Sequence, residues 1–458
     1  DYSPDNRPYR PKQFLPVSLK GIQQGDFVMT LGYPGTTTRY MTSVEVDRQE
    51  QLTNNIGIEV RTLRQDILLE DMLADPKVQL QYASKYSGSS NAWKKWTGMN
   101  ETFGKLNVKA RRAEEEAAFT AWVNASPGRR EKYGTALSDI EEAIRGQWDM
   151  LYVSRYLSEA LRNIEVSGLA SRLFTRADGQ GDVNSESLKT QARRFFANYN
   201  RPTDVKVARA MLGIFAQKVD KGHYPTVYRI IEKDYAGNTD AYVEDLFAKT
   251  AFASEEKLCS LIDRLADENT RTAAWEEVRN DPAWILGRSV AEKTRECQDA
   301  IAPFYAQYEK GHRNFIAGML EMRKGQPMYP DANSSMRLTY GNVLNYRPRD
   351  GVIYDYYTTL TGVMEKEDPD NWEFVVPEKL VQLYNKKDYG QYARPGEEVV
   401  TGFIANTDIT GGNSGSPVLN AKGELIGLAF DGNWESMSGD VIFEPALQRC
   451  ISVDIRYV

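Results

Sequence analysis

The spacing of apolar and polar positions changes its period twice along the chain. Residues 1–50 read as β. Within them, Phe27-Val28-Met29-Thr30-Leu31 is a short apolar run closed by the turn Tyr33-Pro34-Gly35, which predicts a strand. A second extended run is read at residues 40–46, where Val44 and Val46 stand two apart. From about residue 52 to about residue 325 the period lengthens to three and four, the helical spacing. Leu137, Ile140, Ile144 and Trp148 share one helical face, and residues 110–119 are strong helix formers. Breaks at Ser126-Pro127-Gly128, Asp178-Gly179-Gln180-Gly181 and Arg201-Pro202-Thr203 divide the region into several helices, and no repeat period makes it a solenoid. After Pro327-Met328-Tyr329-Pro330 the pattern returns to strands and loops, with extended runs at 352–357, 399–404, 425–430 and 451–455.

The simplest architecture for this order is α+β, a β-barrel interrupted by a large α-helical insertion. Such an insertion leaves and re-enters the barrel at neighbouring points. It is expected beside the functional loops, where insertions are tolerated. A chain of 458 residues also exceeds one ordinary core, so two or more domains are expected.

Composition narrows the function classes. With 57 basic and 64 acidic residues the net charge is −7, which argues against nucleic acid as the main partner. No stretch approaches the about 18 consecutive apolar residues of a membrane span. Cys259, Cys297 and Cys450 fit neither a zinc site nor a disulfide framework and are read as thiols, with a Cys259–Cys297 bridge as the alternative in an oxidising compartment. Two separated histidines give no metal-ligand spacing, so no metal and no cofactor are expected. The opening Asp1-Tyr2-Ser3-Pro4 reads as mid-domain sequence.

The chemistry is concentrated at Gly412-Asn413-Ser414-Gly415-Ser416-Pro417, a glycine-bracketed turn just before the apolar pair Val418-Leu419. Small neighbours let a substrate carbonyl approach a serine Oγ, and backbone N–H groups of such a turn can converge on the developing oxyanion. The nucleophile elbow of α/β-hydrolases fits less well. It needs Gly-x-Ser-x-Gly followed by a helix, and here Ser416, a proline and a strand follow. A nucleophilic serine also needs a base. The chain holds only His223 and His312, both in stretches read as helical, and His312 is read as a surface helix residue. The base for Ser414 is therefore expected outside these residues. The acidic run Glu114-Glu115-Glu116 is read as a solvated helix face.

The segment 410–419 resembles the Gly-Asp-Ser-Gly-Gly-Pro region of trypsin-like double-barrel peptidases, and Gly32-Tyr33-Pro34-Gly35 resembles a strand-turn early in their second barrel. The chain as a whole resembles the bacterial dipeptidyl-peptidase 7 and 11 family, serine exopeptidases with a helical domain inserted in the second barrel. The most specific parts are residues 351–360, Gly362-Val363-Met364-Glu365-Lys366-Glu367, the serine segment, and Phe430-Asp431-Gly432-Asn433-Trp434-Glu435. That resemblance implies residues 1–20 as the end of the first barrel and 21–51 as the first part of the second. Residues 52–325 become the helical insertion, 326–394 a return segment, and 395–458 the rest of the second barrel.

The same resemblance implies roles. Ser414 is the nucleophile, and the N–H groups of Gly412 and Ser414 form the oxyanion hole. Asp431 holds the substrate's free α-amino group, with Phe430 and Gly432 at the substrate. Members that cut after Asp or Glu carry Arg where this chain has Gly432, so an aliphatic or aromatic P1 residue is implied here. The catalytic His and Asp belong to the first barrel and are absent, so the chain is expected to be inactive alone. Its partners are expected to be short peptides with a free amine and the missing N-terminal segment of the same protein. A homodimer and a periplasmic or cell-surface location in a Gram-negative bacterium are also implied. The alternative reading is a non-catalytic peptide-binding or helical interaction fragment. An esterase, which would not need Asp431, is the third.

Overall fold

The computed structural model describes residues 3–175, 183–371, 373–393 and 396–458. The chain divides into two compact units. One comprises Asp1–Met41, Glu101–Val108 and Pro327–Val458, and the other Thr42–Asn100 and Lys109–Gln326.

The first unit holds the strands. They are β1 (Phe27–Gly32), β2 (Arg337–Asn342), β3 (Tyr346–Arg349), β4 (Val352–Tyr354), β5 (Tyr357–Thr359), β6 (Val400–Ala405), β7 (Pro417–Asn420), β8 (Leu425–Gly432) and β9 (Cys450–Asp454). Seven form one antiparallel sheet in the order β2-β1-β7-β8-β9-β6-β5, and β3 pairs with β4 separately. Period-two burial marks β1 and β9 as strands with one buried face. Along β1 the buried positions are Val28, Thr30 and Gly32, and along β9 they are Cys450, Ser452 and Asp454. One face packs Ile22, Val28, Val343, Phe403, Ala405, Val418, Ile426, Ala429 and Cys450 together. A ring as fully buried as Phe403 contributes about 1.5–3 kcal/mol. The sheet bends back on itself: Val343, just after β2, bridges to Ala405 of β6, and Leu344 N–H donates to the Ile404 carbonyl at 3.3 Å.

The second unit is helical. Its core runs from Leu52 and Ile56 through Leu157 and Leu212 to Leu286 and Cys297. Helix starts are fixed by side-chain caps that satisfy otherwise unpaired N–H groups. Asn200 caps Arg201–Lys218, Asn238 caps Thr239–Lys249, Ser254 caps Glu255–Ala266 and Asp281 caps Pro282–Ile301. Helices Ala136–Glu159 and Tyr305–Met322 approach closely at Gly311, where an added Cβ would stand 2.8 Å from the Ala136 carbonyl oxygen.

Several expectations change. The run at 40–46 is not extended, because the helix Ser43–Arg48 begins within it. Glu45 accepts hydrogen bonds from both the N–H and the hydroxyl of Thr42, one arm of a capping box that fixes a helix start. Residues 43–51, read as barrel, are thus helical. The run at 352–357 is two strands with different partners. Within 326–394, Arg337–Asn342 joins the main sheet beside β1, a strand the sequence reading did not single out. Of the break at Ser126 to Gly128, only Ser126 lies outside a helix, as the N-cap of Pro127–Tyr133 after Val108–Asn124 has ended; Arg201 opens a helix. The break at 178–181 lies outside the described residues. All three cysteines are free, so the Cys259–Cys297 bridge is absent. The acidic run is only partly solvated: Glu116 accepts the Ser43 hydroxyl at 2.9 Å and Glu115 pairs with Arg112 at 2.7 Å.

Candidate active site

Ser414 lies in the turn that leads into β7. The turn is tight because Asn413 N–H donates to the Thr410 carbonyl at 3.1 Å and Ser416 N–H to the Asn413 carbonyl at 2.9 Å. Two further bonds clamp it onto β8: Gly415 N–H to the Ala429 carbonyl at 2.7 Å, and Ala429 N–H to the Ser416 carbonyl at 2.9 Å. Asn413 is buried beneath the turn, whereas Gly412 and Ser414 are exposed.

A second clamp comes from the far end of the sequence. Gly35 N–H donates to the Gly411 carbonyl at 2.6 Å. A trans peptide directs its N–H opposite to its C=O, so pinning the Gly411 oxygen inward turns the Gly412 N–H outward. Gly412 takes φ +105°, and an added Cβ would stand 2.4 Å from the Tyr33 oxygen and 2.9 Å from the Gly35 nitrogen. Only glycine fits there. Among the described residues, neither the Gly412 nor the Ser414 N–H has an acceptor. The serine is therefore flanked by two uncommitted backbone donors.

The Ser414 hydroxyl donates to the Phe430 carbonyl at 3.2 Å. Phe430 is available because β8 is bulged: Ala429 opposes Ser452 and Asp431 opposes Ile451, leaving Phe430 as the extra residue. Its side chain is 51% exposed. Asp431 is also exposed, and its carboxylate accepts the Gly432 N–H at 2.8 Å. An added Cβ on Gly432 would stand 2.1 Å from Ser436 Oγ. Asn433, buried, locks the strand end by accepting Arg449 N–H at 2.8 Å and donating to the Leu447 carbonyl at 2.8 Å. The structure thus brings together Ser414, Gly412, Phe430, Asp431 and Gly432, all named from the sequence. Tyr33, Gly35 and Asn433 stand in sequence motifs but were given no role at the serine turn, and Ser436 was not named.

Beside Asn413 lies a cavity of about 420 Å³, lined in part by Arg39, Tyr340, Asp408 and Thr410. Arg39 makes a two-pronged pair with Asp408 at 2.9 and 2.8 Å and a further bond to the Tyr329 hydroxyl at 2.9 Å. Burial disfavours its charge, but Asp408 outweighs burial and leaves the guanidinium pKa raised. Asp408 stands just upstream of the serine turn, so this pair anchors the turn's entry.

Both histidines belong to the helical unit, and neither is a partner of Ser414. His223 ends the short turn Lys221–His223. His312 is a half-buried helix residue rather than a fully exposed one, with Nε2 3.8 Å from Glu45 Oε1.

A family description, Peptidase S46, matches residues 1–458. The chain belongs to the Peptidase S46 family. Among curated S46 relatives, dipeptidyl-peptidase 7 of Phocaeicola vulgatus is 40% identical over 481 residues, and the chain covers 63% of that protein's length. The Asp/Glu-specific dipeptidyl-peptidase of Porphyromonas gingivalis is 38% identical over 466 residues, again with 63% covered. The crystal structure of Porphyromonas endodontalis DPP11 in complex with dipeptide Arg-Glu aligns with a TM-score of 0.88 at 37% identity. That alignment takes in 100% of this chain and 65% of the crystal chain. The chain therefore spans less than two thirds of the S46 proteins it matches. Overall identity also does not set the chain with either kind of relative, since 40% and 38% are nearly equal. That question falls to individual residues.

Among the described residues no helix is long and apolar enough to cross a membrane.

Proposed function

We propose that this S46 chain carries the nucleophile side of a serine dipeptidyl peptidase that releases dipeptides from free peptide N-termini. The observation that carries this reading is the exposed Ser414 between the uncommitted N–H groups of Gly412 and Ser414. In the proposed reaction Ser414 Oγ attacks the carbonyl after the second substrate residue, and its proton passes to a base supplied outside residues 1–458. The two N–H groups receive the oxyanion, the amine of the shortened peptide leaves, and water then hydrolyses the acyl-enzyme. The seven-stranded sheet, closed through Val343 and Ala405, is read as the second barrel of the trypsin-like arrangement.

Asp431 is the proposed partner of the substrate's terminal ammonium. An exposed carboxylate beside the nucleophile's strand favours a cation there and sets the cut at two residues. DPP11 crystals hold the dipeptides Arg-Glu and Arg-Asp, which supports a dipeptide-sized site in the family. Gly432 brings no cation to the P1 pocket, so the proposed preference is aliphatic or aromatic.

One observation favours a second reading for the isolated chain. Ser414 Oγ bonds a backbone carbonyl and no imidazole, the state of a peptide binder without turnover. Two measurements separate the readings. A fluorophosphonate should label Ser414 when the whole protein carrying this chain is used, and Ser414→Ala should abolish labelling. Dipeptidyl reporter substrates with a free amine should be cleaved on the order of 100-fold faster than N-acetylated ones. Equal turnover of both would sink the exopeptidase reading.

A further inference from the structure

The helical unit contains a cavity of about 340 Å³ whose lining is strongly cationic. Arg64, Lys85, Arg162, Arg172 and Arg194 face it, against a single carboxylate, Glu165. In a chain of net charge −7 this is a marked local reversal of sign.

Glu165 offsets the group only in part: it pairs with Lys85, and its charge reaches Arg64 without a bond. Its carboxylate is taken by the Tyr82 hydroxyl at 2.6 Å and by Lys85 at 2.5 Å. The next carboxylate along, Glu159, is shared by Arg61 at 2.8 Å and Arg155 at 3.0 Å. Arg64, half-buried at the cavity, bonds only the side-chain oxygen of Asn163 among the described residues. Arg162, Arg172 and Arg194, all exposed, have no ion-pair partner among the described residues. Four guanidinium groups thus converge on one space with no carboxylate of their own. Burial and the neighbouring Arg61 both push the Arg64 pKa down, a cost that a bound anion would relieve.

We propose that this cavity binds a multiply charged oxyanion of the phosphate class. Guanidinium forks match the paired oxygens of phosphate, which is why Arg rather than Lys dominates such sites. The space would hold about ten waters, more than a lone phosphate needs. The apolar wall of Leu68, Phe195 and Val207 fits the organic body of a small phosphate ester. The site stands apart from the peptidase reading and does not depend on it.

The test is calorimetric titration of the protein with inorganic pyrophosphate and with phenyl phosphate, at constant ionic strength set by chloride. Saturable binding of either is expected. The exposed pair Arg162→Gln with Arg194→Gln should weaken it at least tenfold, while Lys132→Gln with Lys233→Gln, the same charge change elsewhere on the helical unit, should leave it unchanged. Tighter phenyl phosphate would identify a phosphate ester as the ligand and tighter pyrophosphate an inorganic polyphosphate. No saturable binding of either, or equal weakening by both pairs, would overturn the site, the second because it means general screening.

Discussion

At Gly432 the contact of an added Cβ with Ser436 Oγ, 2.1 Å, turns a specificity argument into a steric one. The backbone there is not left-handed, so a side chain is barred by Ser436 alone; the next atom, Ser436 Cβ, is 3.2 Å away. Gly432→Arg alone should therefore make the Ser436 hydroxyl rotate out of its bond to the Asn433 carbonyl. Gly432→Arg with Ser436→Ala should remove that conflict and bring a cation to the proposed P1 pocket. The expected result is a shift of kcat/KM toward acidic P1 substrates by on the order of 10- to 100-fold. Unchanged P1 preference in the folded double variant would show that residue 432 does not touch P1. The exposed turn that carries Gly412 and Ser414 was legible because its signal is local, a Gly/Ser run before a strand. Gly35 was not, because its bond to Gly411 joins residues remote in sequence. The strand-turn at Gly32 to Gly35 stood out as a local motif, but no local pattern names a partner so far along the chain.

Among the elements, β1 and β9 were legible through their period-two burial and β6 and β8 as apolar runs, and all four fall where the pattern put them. The helix Ser43–Arg48 was not, since Val44 and Val46 imitate a strand and only the Thr42–Glu45 pair betrays the helix start. β2 was missed for the opposite reason. Leu338 and Tyr340 are 56% and 70% exposed, so its alternation is not one of core against solvent. Helix ends carry the clearest energetic test. Asp281 caps Pro282–Ile301 through Ala283 N–H at 2.8 Å, and also accepts the Thr250 hydroxyl and Ala251 N–H, each at 2.8 Å. One carboxylate so serves two helical segments. Asp281→Ala should lower stability by about 2–4 kcal/mol in urea unfolding, more than a simple cap, because buried donors lose their acceptor. A loss near 0.5 kcal/mol or less would mean water replaces the carboxylate readily.

For the whole molecule the pH dependence of stability has an identifiable internal source. Asp204 is fully buried, and desolvation, followed by the nearby charge of Glu165, pushes its pKa up to about 7. Its unfolded value is about 3.9. An acid whose folded pKa is raised binds its proton more tightly when folded, so ionising it costs stability. That cost is absent below about pH 4, grows as pH rises toward about 7, and is constant above. The urea midpoint of the helical unit should therefore fall between pH 5 and pH 8, and Asp204→Asn should flatten the fall. An undiminished slope in the variant would assign the dependence to other groups.

The register of the sheet also sets an order of events at the ribosome. Val28 of β1 pairs with Asn420 of β7 and with Gly341 of β2. At about 5–20 residues per second, β1 emerges and then waits on the order of tens of seconds for β7. Some helices wait too: Ala136–Glu159 packs against Tyr305–Met322 and Ile56–Ala74 against Arg201–Lys218, each made well after it. During translation β1 is thus an apolar strand with an open edge, the state most prone to wrong pairing. Slowing synthesis just before residue 337 should raise the aggregated fraction, whereas slowing it after residue 432, when every neighbour of β1 exists, should not.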